Sequence, residues 1–166
     1  MLGDRWGVTD DEVARHYPCD DFVPAPSLEA WRGVTVYASP NVLWAWVCQI
    51  QRAPYSYDWI DNGGRRSPRR VLDLPPPAPG GHFTRTAGIP QGRLLGVEPQ
   101  VHYTGRIMGA VVSYVLVPSA SDTRLLMKVV MGGPGWLAPA VSVGDLVMAR
   151  RQLLNLKRLA ETGRSR

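Results

Sequence analysis

A chain of 166 residues with 45% hydrophobic and 20% charged side chains has the length and composition of one globular domain with a sizeable core. Its 19 Lys and Arg residues against 14 Asp and Glu residues give a formal net charge of +5, but no zinc-finger spacing or RNA-binding strand accompanies them, which argues against a nucleic-acid partner. No apolar run approaches the roughly 18 residues of a membrane helix and the first residues lack the apolar core of a signal peptide, so we expect a cytoplasmic protein without a membrane span.

Residues 1–30 are predicted to form an N-terminal arm that packs on the body of the protein. Thr9 and Glu12 have the spacing of a capping box, which predicts a short helix over residues 10–15. Prolines between positions 18 and 26 favour an extended chain after that helix. Three aromatic side chains could each bury a large apolar area against the body: Trp6, Tyr17 and Phe22.

A strand and a helix are predicted to open the body of the domain. Alternating residues over 31–38 predict a half-buried strand. Ser39 is a suitable N-cap and Pro40 a suitable first helical residue, because proline lacks only an N–H that would have no acceptor there. The apolar spacing that follows predicts a helix from Pro40 to about Gln51.

The middle of the chain is rich in polar, glycine and proline residues. Residues 56–62 could form one or two helical turns, which the glycine pair at 63–64 would end. Residues 73–81 are rich in proline and glycine, so an exposed loop is predicted there.

The C-terminal half predicts an antiparallel meander followed by a long helix. Candidate strands separated by natural turns are residues 82–87, 92–98, 101–107, 110–117 and 124–131. Apolar residues spaced by three and four predict an amphipathic helix over 142–161, with Ser142 and Asp145 as its capping box. Its apolar stripe consists of Leu146, Ala149, Leu153, Leu156 and Ala160. Its basic residues fall away from the stripe and are expected to face solvent: Arg150, Arg151, Lys157 and Arg158.

This order of elements predicts an α+β fold, because consecutive strands make one antiparallel sheet and the helices gather on one face of it. A curved sheet wrapped around the long C-terminal helix would bury the apolar faces of both. Since a curved sheet and a straight helix do not fit flush, a cavity between them is favoured.

Three segments carry a resemblance to a known superfamily: VTVYASPNVLWAWVCQI, YSYDWIDN followed by GRRSPR, and GDLVMARRQLLNLKRLAE. On these segments the chain resembles the SRPBCC superfamily, which includes START, birch-pollen-allergen and polyketide cyclase/dehydratase-like proteins. It is most similar to a bacterial, chiefly actinobacterial subgroup of mostly unassigned function. The resemblance covers nearly the whole chain and implies a helix-grip fold. We accordingly expect residues 31–163 to form one domain and residues 164–166 to be a disordered tail.

In a helix-grip fold the segment after the first helix lies near the mouth of the cavity, and the resemblance implies this position for Tyr57 and Asp58. Flanking aromatic residues could desolvate Asp58 and make it a general base, and the Tyr57 hydroxyl could bind a substrate carbonyl. Alternatively, Asp58 caps a turn or pairs with an arginine. The stretch 65–70, with Arg65 and Arg66 as its named candidates, could form a basic rim that binds a carboxylate, a phosphate or the arm of an acyl carrier protein. Alternatively, it is a solvated loop whose arginines pair with nearby aspartates.

The resemblance also implies that a set of aromatic, methionine and helix-face residues lines the cavity, where the flexible methionine side chain suits an adaptable pocket. The predicted ligand-binding residues are Trp46, Tyr57, Trp59, Tyr103, Met108, Tyr114, Met127, Met131, Trp136, Leu146, Ala149 and Leu153. Each of them could instead be plain core. Gln152 and Asn155 could make polar contacts at the edge of the helix stripe, although exposure to solvent is their expected state.

No motif for a metal or a cofactor is present in the sequence. The histidines, His16, His82 and His102, are far apart and lack metal-binding spacing. Cys19 and Cys48 are expected to be reduced, buried thiols. Nucleotide-binding loops and the Gly-x-Ser-x-Gly motif are missing, so neither a metal nor a cofactor is predicted.

Three functions stay open at this point. The first is a cytoplasmic binding protein for a small hydrophobic ligand, such as a lipid, an aromatic or a polyketide-like molecule, in an internal cavity. The second is a cofactor-independent cyclase or dehydratase in which Asp58 or Tyr57 moves a proton on an enolisable substrate. The third is a co-chaperone-like module that docks a partner protein through the proline-rich loop and the arginines.

Overall fold

The computed structural model of the protein describes residues 4–133 and 138–163, and the side chains of Asp61 and of residues 138–147 are not part of that description. In chain order the strands and α-helices are β1 (Arg5–Trp6), α1 (Asp10–Ala14), β2 (Leu28–Val36), α2 (Pro40–Cys48), α3 (Asp58–Asp61), β3 (Thr84–Thr86), β4 (Ile89–Gln91), β5 (Arg93–Glu98), β6 (His102–Ile107), β7 (Ala110–Pro118), β8 (Thr123–Met131) and α4 (Ala138–Thr162). Short 3-10 helices lie at Pro18–Phe22 and Gln49–Gln51.

Six strands form one sheet in the order β1-β2-β8-β7-β6-β5, antiparallel except for the parallel pair of β1 and β2. Strands β3 and β4 make a separate hairpin. Val129 of β8 lies opposite Ala30 of β2 on one side and Val112 of β7 on the other, so three buried side chains share one face. A slip by one residue would turn such side chains to the opposite face, and the burial of this face therefore determines the register.

The inner face of the sheet packs against α2 and α4. Leu43 of α2, Leu125 of β8 and the α4 residues Leu153 and Leu156 are 0% exposed within one hydrophobic cluster. A long helix held against a curved, open antiparallel sheet is the helix-grip architecture. The predicted α+β, helix-grip fold class is therefore confirmed.

Two of the predicted helix starts are confirmed. Thr9 Oγ1 accepts from the Glu12 amide at 3.2 Å and Glu12 Oε2 accepts from the Thr9 amide at 2.9 Å, which is the predicted capping box of α1. Ser39 Oγ accepts from the Val42 amide at 3.4 Å, and Pro40 is the first residue of α2.

The predicted start of the C-terminal helix is wrong. Helix α4 begins at Ala138, so Ser142 and Asp145 lie inside it and do not form its capping box. Pro139 is compatible with this earlier start, because the first helical turn has N–H groups without intrahelical acceptors and proline simply lacks one of them. With 25 residues, α4 is about 38 Å long. Within its described side chains the predicted stripe is buried: Ala149, Leu153, Leu156 and Ala160.

The outer face of the sheet is covered by the chain that precedes β2. Tyr17 is 0% exposed there, in a second hydrophobic cluster. Lys128 of β8 points into the same region, with its Nζ 2.6 Å from Asp20 and 2.9 Å from Glu29. The same ammonium group lies 4.9 Å from the centroid of the Trp31 ring. It also lies 5.7 Å from the centroid of the Tyr17 ring. The ion pair with Asp20 and the contact with Tyr17 stabilise the arm on the sheet, whereas Glu29 and Trp31 belong to β2.

Candidate functional site

A cleft of about 330 Å³ opens between the segment around α3 and the C-terminal half of α4, and we call it the α3–α4 cleft. Tyr57, Asp58 and Trp59 line it from the α3 side. A second opening of about 450 Å³, the Trp46 groove, adjoins it and continues to the buried ring of Trp46. The two openings share Arg69, Arg158 and Leu159. Aromatic walls with charged groups between them suit an amphipathic small molecule.

The inner wall of the cleft is shaped by Tyr55, which adopts a left-handed backbone conformation with φ of 57°. Such a conformation costs about 1–3 kcal/mol for a residue other than glycine and persists only where surrounding contacts hold it. Here the Tyr55 hydroxyl donates to the Pro68 carbonyl at 2.8 Å, its amide donates to Ser67 Oγ at 3.2 Å, and its carbonyl accepts from Asn155 Nδ2 at 2.9 Å. Burial raises the pKa of Tyr55, so the hydroxyl stays protonated and able to donate.

Asp58 and Ser67 form a brace across the loop that follows α3. The Ser67 amide donates to Asp58 Oδ2 at 2.8 Å, and the Ser67 hydroxyl donates to Asp58 Oδ1 at 2.5 Å. Both carboxylate oxygens are therefore engaged by the protein itself. Each carboxylate oxygen has two lone pairs, so these bonds hold the loop and still leave Asp58 with acceptor capacity. The predicted base role of Asp58 stays a hypothesis.

One face of α4 supplies the opposite wall of the cleft. Arg151, Asn155 and Arg158 follow one another at spacings of four and three, which places them on the same side of the helix. The Arg151 guanidinium lies 5.7 Å from the centroid of the Tyr57 ring, and Arg158 Nη2 lies 3.5 Å from Asn155 Oδ1. Within the part of the chain that the structure describes, neither arginine, nor Arg69 opposite them, forms an ion pair with a carboxylate.

The residues predicted to bind a ligand fall into separate places. The first group is packed in the interior, each member 4% exposed or less: Tyr103, Tyr114, Met127, Ala149 and Leu153. The second borders the cleft or the groove: Trp46, Tyr57 and Trp59. Met131 is half-buried at the end of β8, and Met108 is 91% exposed in the turn between β6 and β7. Trp136 and the side chain of Leu146 lie outside the described residues.

The interior beside the C-terminal half of α4 is filled by three aromatic rings. The Phe83 and Tyr103 centroids are 5.5 Å apart, and the Tyr114 centroid is 6.3 Å from each of them. The Tyr103 hydroxyl donates to the Phe83 carbonyl at 2.5 Å, and burial raises the pKa of Tyr103. The Tyr114 hydroxyl donates to Gln152 Oε1 at 2.6 Å. These polar groups therefore have partners within the protein.

Gln152 and Asn155 differ from their expected exposure. Gln152 is only 8% exposed, and besides accepting from Tyr114 it donates from Nε2 to the Pro54 carbonyl at 2.6 Å. Asn155 is half-buried and bonds to the backbone of Tyr55. The expectation of exposure was wrong because the chain around Tyr55 lies along α4 and covers a wider face than the apolar stripe indicates.

Arg65 and Arg66 do not line the α3–α4 cleft. They border a separate hollow of about 110 Å³ beside Asn62 and Gly88, and both are exposed. The two residues predicted as a basic rim and the pair Tyr57 and Asp58 therefore face different openings. The arginine from this loop that reaches the cleft is Arg69, three positions further along.

Sequence reasoning did not place Arg151 and Arg158 in the site, because it expected both to face solvent. Ser67 and Arg69 belong to the stretch 65–70 that was predicted as a possible basic rim, although Arg65 and Arg66 were its named candidates. The signal that could have found part of the set is the spacing of Arg151, Asn155 and Arg158, which marks a polar face next to the apolar stripe. Basic helix faces that are simply exposed to solvent have the same spacing. Only the position of the α3 segment shows that this face lines a cleft.

The described residues contain no group of three or more His, Cys, Asp or Glu side chains that could hold a metal ion. Cys19 and Cys48 are free thiols. Burial raises the pKa of Cys19 to about 11 and that of Cys48 to about 12, which keeps both protonated near neutral pH. Across the described chain, α4 included, no helix combines the length and the apolar character needed to cross a bilayer.

No family model and no curated protein matches this chain. Solved structures with a similar fold do exist. The protein NE0264 from Nitrosomonas europaea aligns with a TM-score of 0.58 at 14% identity, covering 84% of this chain and 98% of its own. The protein MLL2253 from Mesorhizobium loti aligns with a TM-score of 0.55 at 17% identity, covering 81% of this chain and 97% of its own. The AHSA1-like protein RHE_CH02687 from Rhizobium etli aligns with a TM-score of 0.50 at 14% identity, covering 81% and 82%. At these identities the similarity shows the fold alone.

Proposed function

We propose that this chain is a helix-grip protein of the SRPBCC superfamily that binds a small aromatic or otherwise partly hydrophobic molecule in the α3–α4 cleft. The observation that carries the proposal is an open cleft lined by Tyr57 and Trp59 from the α3 side and by Asn155 and Arg151 from α4. The 74% exposure of Trp59 leaves a large apolar surface available to a ligand. The solved helix-grip structures support the same general class of domain.

The cleft differs in place from the internal cavity that the sequence predicts. Beside the C-terminal half of α4 the interior is occupied by Phe83, Tyr103 and Tyr114. Open volume lies at the edge of the helix, between α4 and the segment around α3. A ligand at this edge would still contact both α4 and the segment after α2, the elements that the resemblance implies. It would lie nearer the surface than a ligand in an internal cavity.

Binding is favoured over catalysis by the state of the carboxylate in the cleft. A cofactor-independent cyclase or dehydratase would use Asp58 as its base, with Tyr57 beside it. Both oxygens of Asp58 already accept hydrogen bonds from Ser67. That arrangement is suited to holding the loop, and it makes the binding protein the simpler proposal.

Titration with the neutral fluorescent probe N-phenyl-1-naphthylamine, followed by thermal unfolding, tests the proposal. A ligand at 100 times its Kd stabilises the folded state by about 2.7 kcal/mol. For a protein of this size that raises Tm by roughly 5–10 °C. Tyr57→Ala and Trp59→Ala should each weaken probe binding, whereas Met108→Ala, which removes an exposed side chain outside the cleft, should not. Unchanged affinity in both cleft variants would place the probe elsewhere and refute the proposal.

A further inference from the structure

The charges at the junction of the α3–α4 cleft and the Trp46 groove indicate which chemical class of ligand the site takes. We propose, resting on the function proposed above, that the ligand carries an anionic group, a carboxylate, sulfonate or phosphate, on an aromatic skeleton. The anionic group lies between Arg69 and Arg158, which line both openings. The rings extend toward Tyr57 and Trp59.

Three arginines of the cleft have no carboxylate partner among the described residues. Arg69, Arg151 and Arg158 form no ion pair with a carboxylate among the described residues, whereas other basic side chains, such as Lys157 with Glu161 at 2.5 Å, do. The carboxylate in the cleft is that of Asp58, and both of its oxygens accept from Ser67. Among its described lining residues the cleft therefore presents three guanidinium groups against one carboxylate, so positive charge predominates.

The two arginines that line both openings come from different elements. Arg158 belongs to α4 and Arg69 to the loop after α3. A guanidinium group binds carboxylate, sulfonate or phosphate oxygens through parallel N–H bonds, and two such groups can hold one anion from both sides. A neutral aromatic ligand would offer these two cations no charged partner.

Arg151 is oriented by an aromatic ring of the cleft. Its guanidinium lies 5.7 Å from the centroid of the Tyr57 ring. Such a contact orients the cation and leaves the N–H groups at its edge free to donate. A cation oriented in advance loses less conformational entropy on binding, which favours an anionic ligand further.

The chain itself supplies matched controls. Arg70 is the neighbour of Arg69, and Arg150 is the neighbour of Arg151; both are exposed and neither lines the cleft or the groove. Replacing either control residue by glutamine removes the same charge from nearly the same position in the sequence. If only the overall charge of +5 attracted the anion, both substitutions of each pair would weaken its binding equally. If the anion binds at the junction, only the substitution of the lining arginine weakens it.

The experiment compares 1-anilinonaphthalene-8-sulfonate with N-phenyl-1-naphthylamine, which share the phenylnaphthylamine skeleton and differ by the sulfonate. We expect the sulfonate to bind at least about fivefold more tightly at low salt, with the difference shrinking as salt screens exposed charges. Arg69→Gln and Arg158→Gln should each weaken sulfonate binding about two- to fivefold and leave the neutral probe unchanged. Arg70→Gln and Arg150→Gln should change neither. In competition, 2-naphthoate should displace the bound dye better than 2-naphthamide.

The outcomes separate the two proposals. Equal affinity for both dyes, with no effect of Arg69→Gln or Arg158→Gln, would overturn the anionic ligand and leave the binding function standing. If Arg70→Gln and Arg150→Gln also weaken sulfonate binding, the overall charge of the chain explains the preference for the sulfonate. That result would equally overturn the proposed anionic ligand. If neither dye binds the folded protein at any concentration tested, the proposed function itself fails. Folding of each variant is checked by its thermal transition before the dyes are added.

Discussion

Replacement of Asp58 distinguishes a structural brace from a group that acts on the ligand. Asp58→Ala removes the acceptors of two hydrogen bonds, from the Ser67 amide at 2.8 Å and the Ser67 hydroxyl at 2.5 Å. Hydrogen bonds to a charged group contribute about 1.5–3 kcal/mol when buried, and we take about 1 kcal/mol for each in this half-exposed position. The expected loss of about 2 kcal/mol in the free energy of unfolding corresponds to a Tm lower by roughly 4–8 °C.

Two further variants sharpen the comparison. Asp58→Asn keeps a carbonyl oxygen for the Ser67 amide and an NH₂ group that can donate to the Ser67 hydroxyl, so at most about half of the destabilisation is expected. Ser67→Ala loses the hydroxyl bond to Asp58 and the acceptor that Ser67 Oγ offers to the Tyr55 amide. Because Asp58 and Ser67 contact each other, the double variant should be destabilised by less than the sum of the two single variants.

Thermal unfolding followed by circular dichroism gives the stabilities, and titration with N-phenyl-1-naphthylamine gives the affinities. If the pair is a brace, stability and affinity fall together across the series, with Asp58→Ala lowest and Asp58→Asn closest to the unsubstituted protein. An Asp58→Asn variant with unchanged Tm that loses the probe, or loses turnover of an enolisable substrate, would contradict this reasoning. Asp58 would then act on the ligand directly.

Three further predictions concern the scaffold. Lys128→Met should lower the free energy of unfolding by about 2–4 kcal/mol, because it leaves the carboxylates of Asp20 and Glu29 without their buried cation. Faster limited proteolysis of the N-terminal arm should accompany the loss, and equal cleavage rates would refute this. The hydrogen bond from Arg124 holds the pKa of Glu12 below its ordinary value of 4.5. The contribution of this bond to the free energy of unfolding is therefore complete above pH 4.5 and is lost as the pH falls through the lower folded-state pKa of Glu12. Proteolytic cleavage of the arm should rise in that pH range, and Glu12→Gln should remove the rise. Gly105→Ala would place a Cβ against the Phe83 ring, which should cost about 1–3 kcal/mol in chemical denaturation, and a neutral effect would show that the ring moves aside.

The sequence by itself was sufficient for the local elements and for the fold class. Capping at Thr9 and Ser39 is a matter of a few neighbouring residues, and both helix starts are as predicted. Alternation along β8 and the three-and-four spacing along α4 record which side chains face the core, so the meander from β5 to β8, the long helix and their order follow. The predicted first strand of the meander, residues 82–87, instead forms a separate hairpin with β4. The errors lie where local signals compete, as at Ser142, a good capping residue that the longer helix includes.

Only the tertiary structure decided where the candidate site lies. Arg150 and Arg151 are adjacent in the sequence and chemically identical, yet one stacks on Trp6 and the other lines the cleft. Which of them meets a ligand depends on where the chain around Tyr55 lies, and its left-handed turn is held by contacts with residues up to 100 positions away. Patterns along the sequence report burial, which is a property of single positions. A site depends on which distant segments meet, and in this protein that is decided by hydrogen bonds between a loop and a helix far apart in the chain.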